Sequence, residues 1–255
     1  MKYLYNKIGS VVSMILTASA FIADASDKQI KQRFEEKYQA WRAWVTNHWY
    51  MSTFIRNQQF NEIVALGLPV VPYIVEKIEQ NPGDFHLGSA VMLITKKKFA
   101  KSEWPLGSLG DSRTAAVMYV KWWKEGRFKT GERFAELYRK WKASKADKKD
   151  KEAEETYQKI VDLGIPVMPY LVAHVEQQPE LVSAISKLTD GALPPTATPA
   201  ECNQWWEANK KKYEVLIQSN PSHRSEGQKV LPNGDCSQEA NPPPTLATPP
   251  TGCSR

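Results

Sequence analysis

The sequence predicts an all-α fold: a short α-solenoid of two homologous multi-helix units, with a disordered proline-rich tail behind it. Three observations carry this prediction. One stretch of the chain is repeated about a hundred residues later, apolar residues recur at steps of three and four, and glycine and proline fall where helices must stop and start.

Taken in order, residues 1–25 read as a secretory signal peptide. Lys2 and Lys7 give a basic start, and Ile8 to Ile22 is an apolar run of fifteen residues broken by Gly9, Ser10, Ser13, Thr17 and Ser19. Ala23-Asp24-Ala25 then offers a small-x-small cleavage site, with Ala18-Ser19-Ala20 as a second. An uncleaved anchor is the alternative, but the run is shorter than the roughly 20 apolar residues that span a bilayer. Export to the periplasm or beyond is therefore expected.

The units are assigned to 26–129 and 130–216. FNEIVALGLPVVPYIVEKIEQNP at Phe60–Pro82 and YQKIVDLGIPVMPYLVAHVEQQP at Tyr157–Pro179 agree at 12 of 23 positions. The match extends outward: Arg33-Phe34, Tyr38 and Trp41 recur as Arg133-Phe134, Tyr138 and Trp141, Ser89-Ala90-Val91 with Ile94-Thr95 as Ser183-Ala184-Ile185 with Leu188-Thr189, and Trp122-Trp123 as Trp205-Trp206. The offset falls from 100 to 97, 94 and 83, so length differences lie between blocks, where connections tolerate them.

Within the units, Ile30, Phe34, Tyr38, Trp41, Val45 and His48 or Trp49 mark one face of a helix. Gly67 and Gly164 suit the left-handed position after a helix, and Pro69 and Pro166 the first turn of the next. Thr198-Pro199-Ala200-Glu201 is a capping box, and Asp111 or Ser112 and Thr130 are expected caps. The Leu-Gly-x-Pro-x-x-Pro-Tyr turn, the Ala-Ile-x-x-Leu-Thr helix and the Trp-Trp helix resemble bacterial HEAT-like, armadillo-type repeat proteins over residues 26–213. The resemblance implies an α-solenoid that binds other macromolecules, and it carries no catalytic residue. The first unit departs from it at Lys96–Gly110, a basic glycine-rich insertion where the second has only Asp190-Gly191-Ala192-Leu193-Pro194.

Two segments read as lying outside the core. Ala143–Glu155 is almost all Lys, Asp, Glu, Ala and Ser, either a solvated helix continuing from Trp141 or a flexible joint. From residue 217 to 255 the chain is proline-rich and lacks aromatics, as a disordered tail does. Cys236 and Cys253 in that tail are an expected disulfide once the chain meets an oxidising compartment, and Cys202 is left unpaired; three idle thiols are the alternative.

Composition gives an address and a charge rather than a reaction. Apolar residues at 42% and charged residues at 24% exclude a wholly disordered or multi-span membrane chain. The net charge of +6 is concentrated: Lys121–Lys151 holds twelve Lys or Arg against five Asp or Glu, near Lys96-Lys97-Lys98 and Lys101. Lys121, Lys124, Arg127 and Arg133 are therefore the candidate anion-binding residues, and Trp104 in the insertion a candidate contact. A solvated face is the plainer explanation of such a run. The doubled tryptophans read as packing between repeats, with one of each pair half exposed because neighbours on a helix point about 100° apart.

Catalytic signals are sparse. The histidines at 48, 86, 174 and 223 form no metal motif, no Cys-x-x-Cys occurs, and no metal or cofactor is expected. Gly110-Asp111-Ser112 resembles the start of one esterase family but precedes a helix instead of following a strand. The expectation is an exported, non-enzymatic scaffold or adaptor for a protein or an anionic envelope polymer, with no integral membrane span once the signal is cleaved; export disfavours nucleic acid as the partner. The alternative is a periplasmic or secreted hydrolase or lyase acting on polysaccharide or peptide, which paired carboxylates in a groove between Trp123 and Trp206 would favour.

Overall fold

A computed structural model describes residues 27–47 and 54–217 of the chain. The signal peptide, the Cys236–Cys253 bridge, the tail beyond residue 217, His48, Trp49 and His223 lie outside the described residues. By its contacts the chain divides into Met1–Ser219 and Asn220–Arg255, and the described residues all belong to the first.

Among the described residues every regular element is helical. Helix α1 spans 27–46, followed by α2 (Gln58–Ala65), a 3-10 turn at Leu68–Val70, α3 (Val71–Gln80), α4 (Leu87–Thr95) and α5 (Ser112–Lys124). Then come α6 (Thr130–Ala146), α7 (Asp150–Val161), a second 3-10 turn at Ile165–Val167, α8 (Met168–Val172), α9 (Leu181–Leu188), α10 (Pro199–Asn209) and the short α11 (Glu214–Ile217).

The repeated residues take the same local structure. Phe34, Tyr38 and Trp41 bury one stripe of α1, and Phe134, Tyr138 and Trp141 bury one stripe of α6. Phe34 stacks on Tyr38 and Tyr73 at 5.9 and 6.0 Å, and Phe134 stacks on Tyr138 and Tyr170 at 5.4 and 5.8 Å. A basic side chain covers each tyrosine: the Lys77 ammonium sits 4.7 Å from the Tyr38 ring, and the His174 ring 4.6 Å from that of Tyr138. Thr95 and Thr189 return their hydroxyls to the carbonyls of Val91 and Ile185, and the next residues, Lys96 and Asp190, have φ of 58° and 52°.

The Leu-Gly-x-Pro turns are more constrained than an ordinary left-handed cap. Gly67 has φ 73° and ψ −158°, and Gly164 φ 79° and ψ −169°, a region that glycine alone occupies readily. Pro69 and Pro166 sit in the 3-10 turn, and the second proline, Pro72 or Pro169, is the second residue of the α-helix that follows, in its first turn, where a missing N–H costs nothing. Asp111 caps α5 by accepting from the Thr114 amide at 2.7 Å. Thr198 and Glu201 form the expected capping box on α10, a device that contributes about 1 kcal/mol.

Three expectations need correction. Thr130 is the first residue of α6 and not its cap: its hydroxyl donates back to the Arg127 carbonyl at 2.7 Å. Ala143–Glu155 does continue the helix from Trp141, with α6 running to Ala146, but it is no flexible joint and does not lie outside the core: the chain turns through Asp147–Lys149, returns as α7, and buries Ser144 and Ala153. Trp122 and Trp123 are both buried, at 6% and 5% exposure, whereas Trp205 is half buried beside a buried Trp206. Helix α5 lies on α3 and α4 on one side, while Arg127 folds its guanidinium over Trp123 at 4.1 Å on another.

The apolar core is continuous from Phe34 in α1 to Leu216 in α11. It crosses from the first set of repeated residues to the second at a close backbone seam. The Lys98 amide donates to the Asp162 carbonyl at 2.9 Å, and Lys96 pairs with Asp190 at 2.9 Å, so the two left-handed residues after α4 and α9 hold one another. A Cβ on Gly164 would stand 2.5 Å from the Thr95 carbonyl oxygen and 2.6 Å from the Lys97 amide nitrogen. Helix α11 touches both Leu68–Val70 and Ile165–Val167.

Candidate functional site

The insertion at 96–110 contributes to two adjoining clefts. It begins with Lys97, whose side chain is 3% exposed: the ammonium donates to the Lys98 carbonyl and lies 4.7 Å from the Phe99 ring centroid. Burial pushes this lysine below its ordinary pKa. Tyr119 on α5 clamps the same backbone by donating to the Lys97 carbonyl at 3.0 Å.

Glu103, in the short turn Lys101–Glu103, ties the insertion to α6. Its carboxylate accepts from the Ala100 amide at 2.8 Å, pairs with Arg133 at 3.2 Å and stands 3.8 Å from the Lys97 ammonium. Beside this knot is a cleft of about 260 Å³ lined by the apolar Phe99, Met118 and Trp122, by Lys121, Lys129 and Arg133, and by Glu103 and Glu125. A second cleft, of about 400 Å³, has Lys98, Lys159 and Asp162 among its lining. The two share Glu103 and Arg133.

The candidate residues divide. Lys121 and Arg133 come together in the smaller cleft. Lys124 points elsewhere and pairs with Glu79, and Arg127 is withdrawn between Trp123 and Phe128, its Nε buried without a partner. Burial lowers the Arg127 pKa, as desolvation of a cation must. Trp104 is half buried in the insertion and lines neither cleft. The Lys96–Lys98 run also divides: Lys96 is paired with Asp190, Lys97 is buried, and Lys98 alone is exposed.

Sequence reasoning missed Lys129, Phe99 and Met118. Lys129 lay inside the basic run, four residues before Arg133, and one helical turn joins such positions. Nothing local marked Phe99 or Met118. Lys121 and Lys129 have no carboxylate ion-pair partner among the described residues, unlike Lys140, Lys145 and Lys149, which pair with Glu152, Glu180 and Asp147.

Other chemistry is accounted for by structure. Asp111 of Gly-Asp-Ser is a helix cap. His86 is wedged between Phe54 and Phe85, and His174 faces the Tyr170 carbonyl with Phe134 and Tyr138 around it; neither lines either cleft. Trp123 and Trp206 are buried, so neither offers a ring face to a groove between them. Among the described residues no cluster of His, Cys, Asp and Glu could hold a metal ion, and no helix is long and apolar enough to cross a membrane. Cys202 is fully buried and its burial raises the thiol pKa. The chain matches no family model and no curated protein, and its fold matches no solved structure.

Proposed function

We propose that this chain is an exported, non-enzymatic helical-repeat adaptor that docks an anionic segment of a protein or envelope polymer in the cleft between its insertion and α5–α6. In this reading α1–α5 and α6–α10 are two copies of one unit, stacked as a short HEAT-like solenoid. The shared aromatic ladder, the two glycine–proline turns and the Lys96–Asp190 pair support it. The observation that carries the binding site is the juxtaposition of Lys121 and Lys129, which have no carboxylate partner among the described residues, with the apolar Phe99, Met118 and Trp122. Two free ammonium groups beside a low-dielectric wall attract a carboxylate or phosphate more strongly than the same charges spread over open surface. The insertion supplies Phe99 and Glu103, so the cleft belongs to the one place where the copies differ most.

The test is elution from immobilised polyglutamate. Lys121→Ser with Lys129→Ser should elute at clearly lower salt than the wild type. A control with the same loss of charge, Lys142→Ser with Lys151→Ser, should elute close to the wild type. Equal shifts in the two variants would reduce the binding to net charge and remove the site. Both variants should keep native stability to within about 0.5 kcal/mol, since exposed charges contribute little.

A further inference from the structure

The far end of the insertion has a geometry that the cleft does not use. Residues 105–111 form two consecutive turns, closed by the Ser108 amide on the Pro105 carbonyl at 3.1 Å and the Asp111 amide on the Ser108 carbonyl at 2.9 Å. In Pro105-Leu106-Gly107-Ser108 and again in Ser108-Leu109-Gly110-Asp111, the third residue is a glycine at positive φ, 76° and 84°. That is the requirement of a type II turn, and it sets the preceding leucine at the apex. The result is read in the exposures: Leu106 is 105% exposed and Leu109 61%. Nothing stands within 4 Å of where a Cβ would lie on either glycine, so both turns are open to solvent. The Ser108 hydroxyl adds a second bond to the Pro105 carbonyl at 2.7 Å.

A fixed loop that holds two leucines outward is a device for inserting them into something. The surrounding charge selects what. Lys98 and Lys101 precede the loop in sequence and Arg113 follows it, all three exposed, while its two carboxylates are engaged, Glu103 with Arg133 and Lys97, and Asp111 with the cap of α5. Trp104, half buried at the base of the loop, is the residue type that settles at the headgroup level. The two leucines project outward, and neither lines either cleft. A bilayer interface takes such a projection without shape matching, and anionic headgroups complement the flanking cations.

We infer that the 104–110 loop is an interfacial anchor by which the protein rests on an anionic lipid surface, with Leu106 and Leu109 in the acyl boundary and Trp104 among the headgroups. This inference does not depend on the polyanion cleft.

The experiment uses the full chain with vesicles of phosphatidylglycerol and phosphatidylcholine, the acyl chains brominated so that they quench nearby tryptophan. The wild type should lose fluorescence on binding, and Trp104→Phe should remove most of that loss, which reports the loop itself rather than attachment through another part of the chain. Leu106→Ser with Leu109→Ser should lower the quenching at a fixed lipid concentration at least tenfold, with an unchanged circular dichroism spectrum and unchanged elution from polyglutamate. Quenching that persists in Trp104→Phe, or that is equal in the double serine variant, overturns the anchor. Loss of polyglutamate retention in Lys121→Ser with Lys129→Ser while vesicle quenching persists leaves the anchor standing on its own.

Discussion

At the scale of single residues, burial is the first cause of the pKa shifts of His86, Lys97 and Arg127. His86 is the clearest case. It lies 4.0 Å from the Phe85 ring centroid and 5.0 Å from that of Phe54, with a buried, unpartnered Nε2. Burial, and after it the charge of Arg113, hold its pKa below the ordinary 6.5, against a smaller opposing effect of Asp84. The unfolded chain therefore binds the proton that the folded chain refuses. Stability from this group is complete above the unfolded pKa and is lost as pH falls through it toward the folded value. The melting temperature should fall between pH 7 and pH 5, and His86→Phe, which keeps a ring in the slot, should fall less steeply. Parallel slopes for the two proteins would show that His86 is not the group responsible.

At the scale of elements, the turns were legible and the partners were not. Leu-Gly-x-Pro announced a helix–turn–helix because glycine and proline act through the local backbone, and Asp111 and Thr198 announced their caps for the same reason. What lay beyond local reach was lost. Lys124 finds Glu79 and Arg127 finds the face of Trp123, and helical spacing could not show that α5 is covered on more than one side. The two turn glycines make a paired test of local against tertiary effects. Gly67→Ala meets only the Pro69 Cδ at 4.0 Å and should cost about 1–3 kcal/mol from backbone strain alone. Gly164→Ala adds a collision with the Thr95–Lys97 backbone and should cost a further ~1–3 kcal/mol. Urea midpoints measure both, and equal losses would mean that the seam yields freely.

At the scale of the whole molecule, the repeated sequence was readable from residue identities, but the contacts between the two repeated stretches were not. Nothing in Lys96 or Asp190 as letters says that they pair, and Gly164 carries no sign that a backbone lies against it. The basic run was divided for a similar reason: five of its twelve cations pair with carboxylates, Arg127 lies against Trp123, and of the others only Lys121 and Lys129 line the smaller cleft. One continuous core and a hydrogen-bonded seam imply cooperative unfolding. Tryptophan fluorescence and far-ultraviolet circular dichroism should trace a single urea transition with coincident midpoints. Two separated transitions would mean that α1–α5 and α6–α10 fold independently.

Tyr38 and Tyr138 hold matching places in the aromatic ladder, yet only Tyr38 finds a hydrogen-bond acceptor, the Asp84 carboxylate at 2.6 Å, which Arg42 also grips; the Tyr138 hydroxyl is buried alone. Asp84 stands in the three residues by which the chain is longer between Pro82 and Leu87 than between Pro179 and Leu181. On the proposed duplication, the ring stack is the ancestral inheritance of both twins. The acid clamp marks where their histories parted, and the solitary phenol is the trace that this divergence left in the sibling.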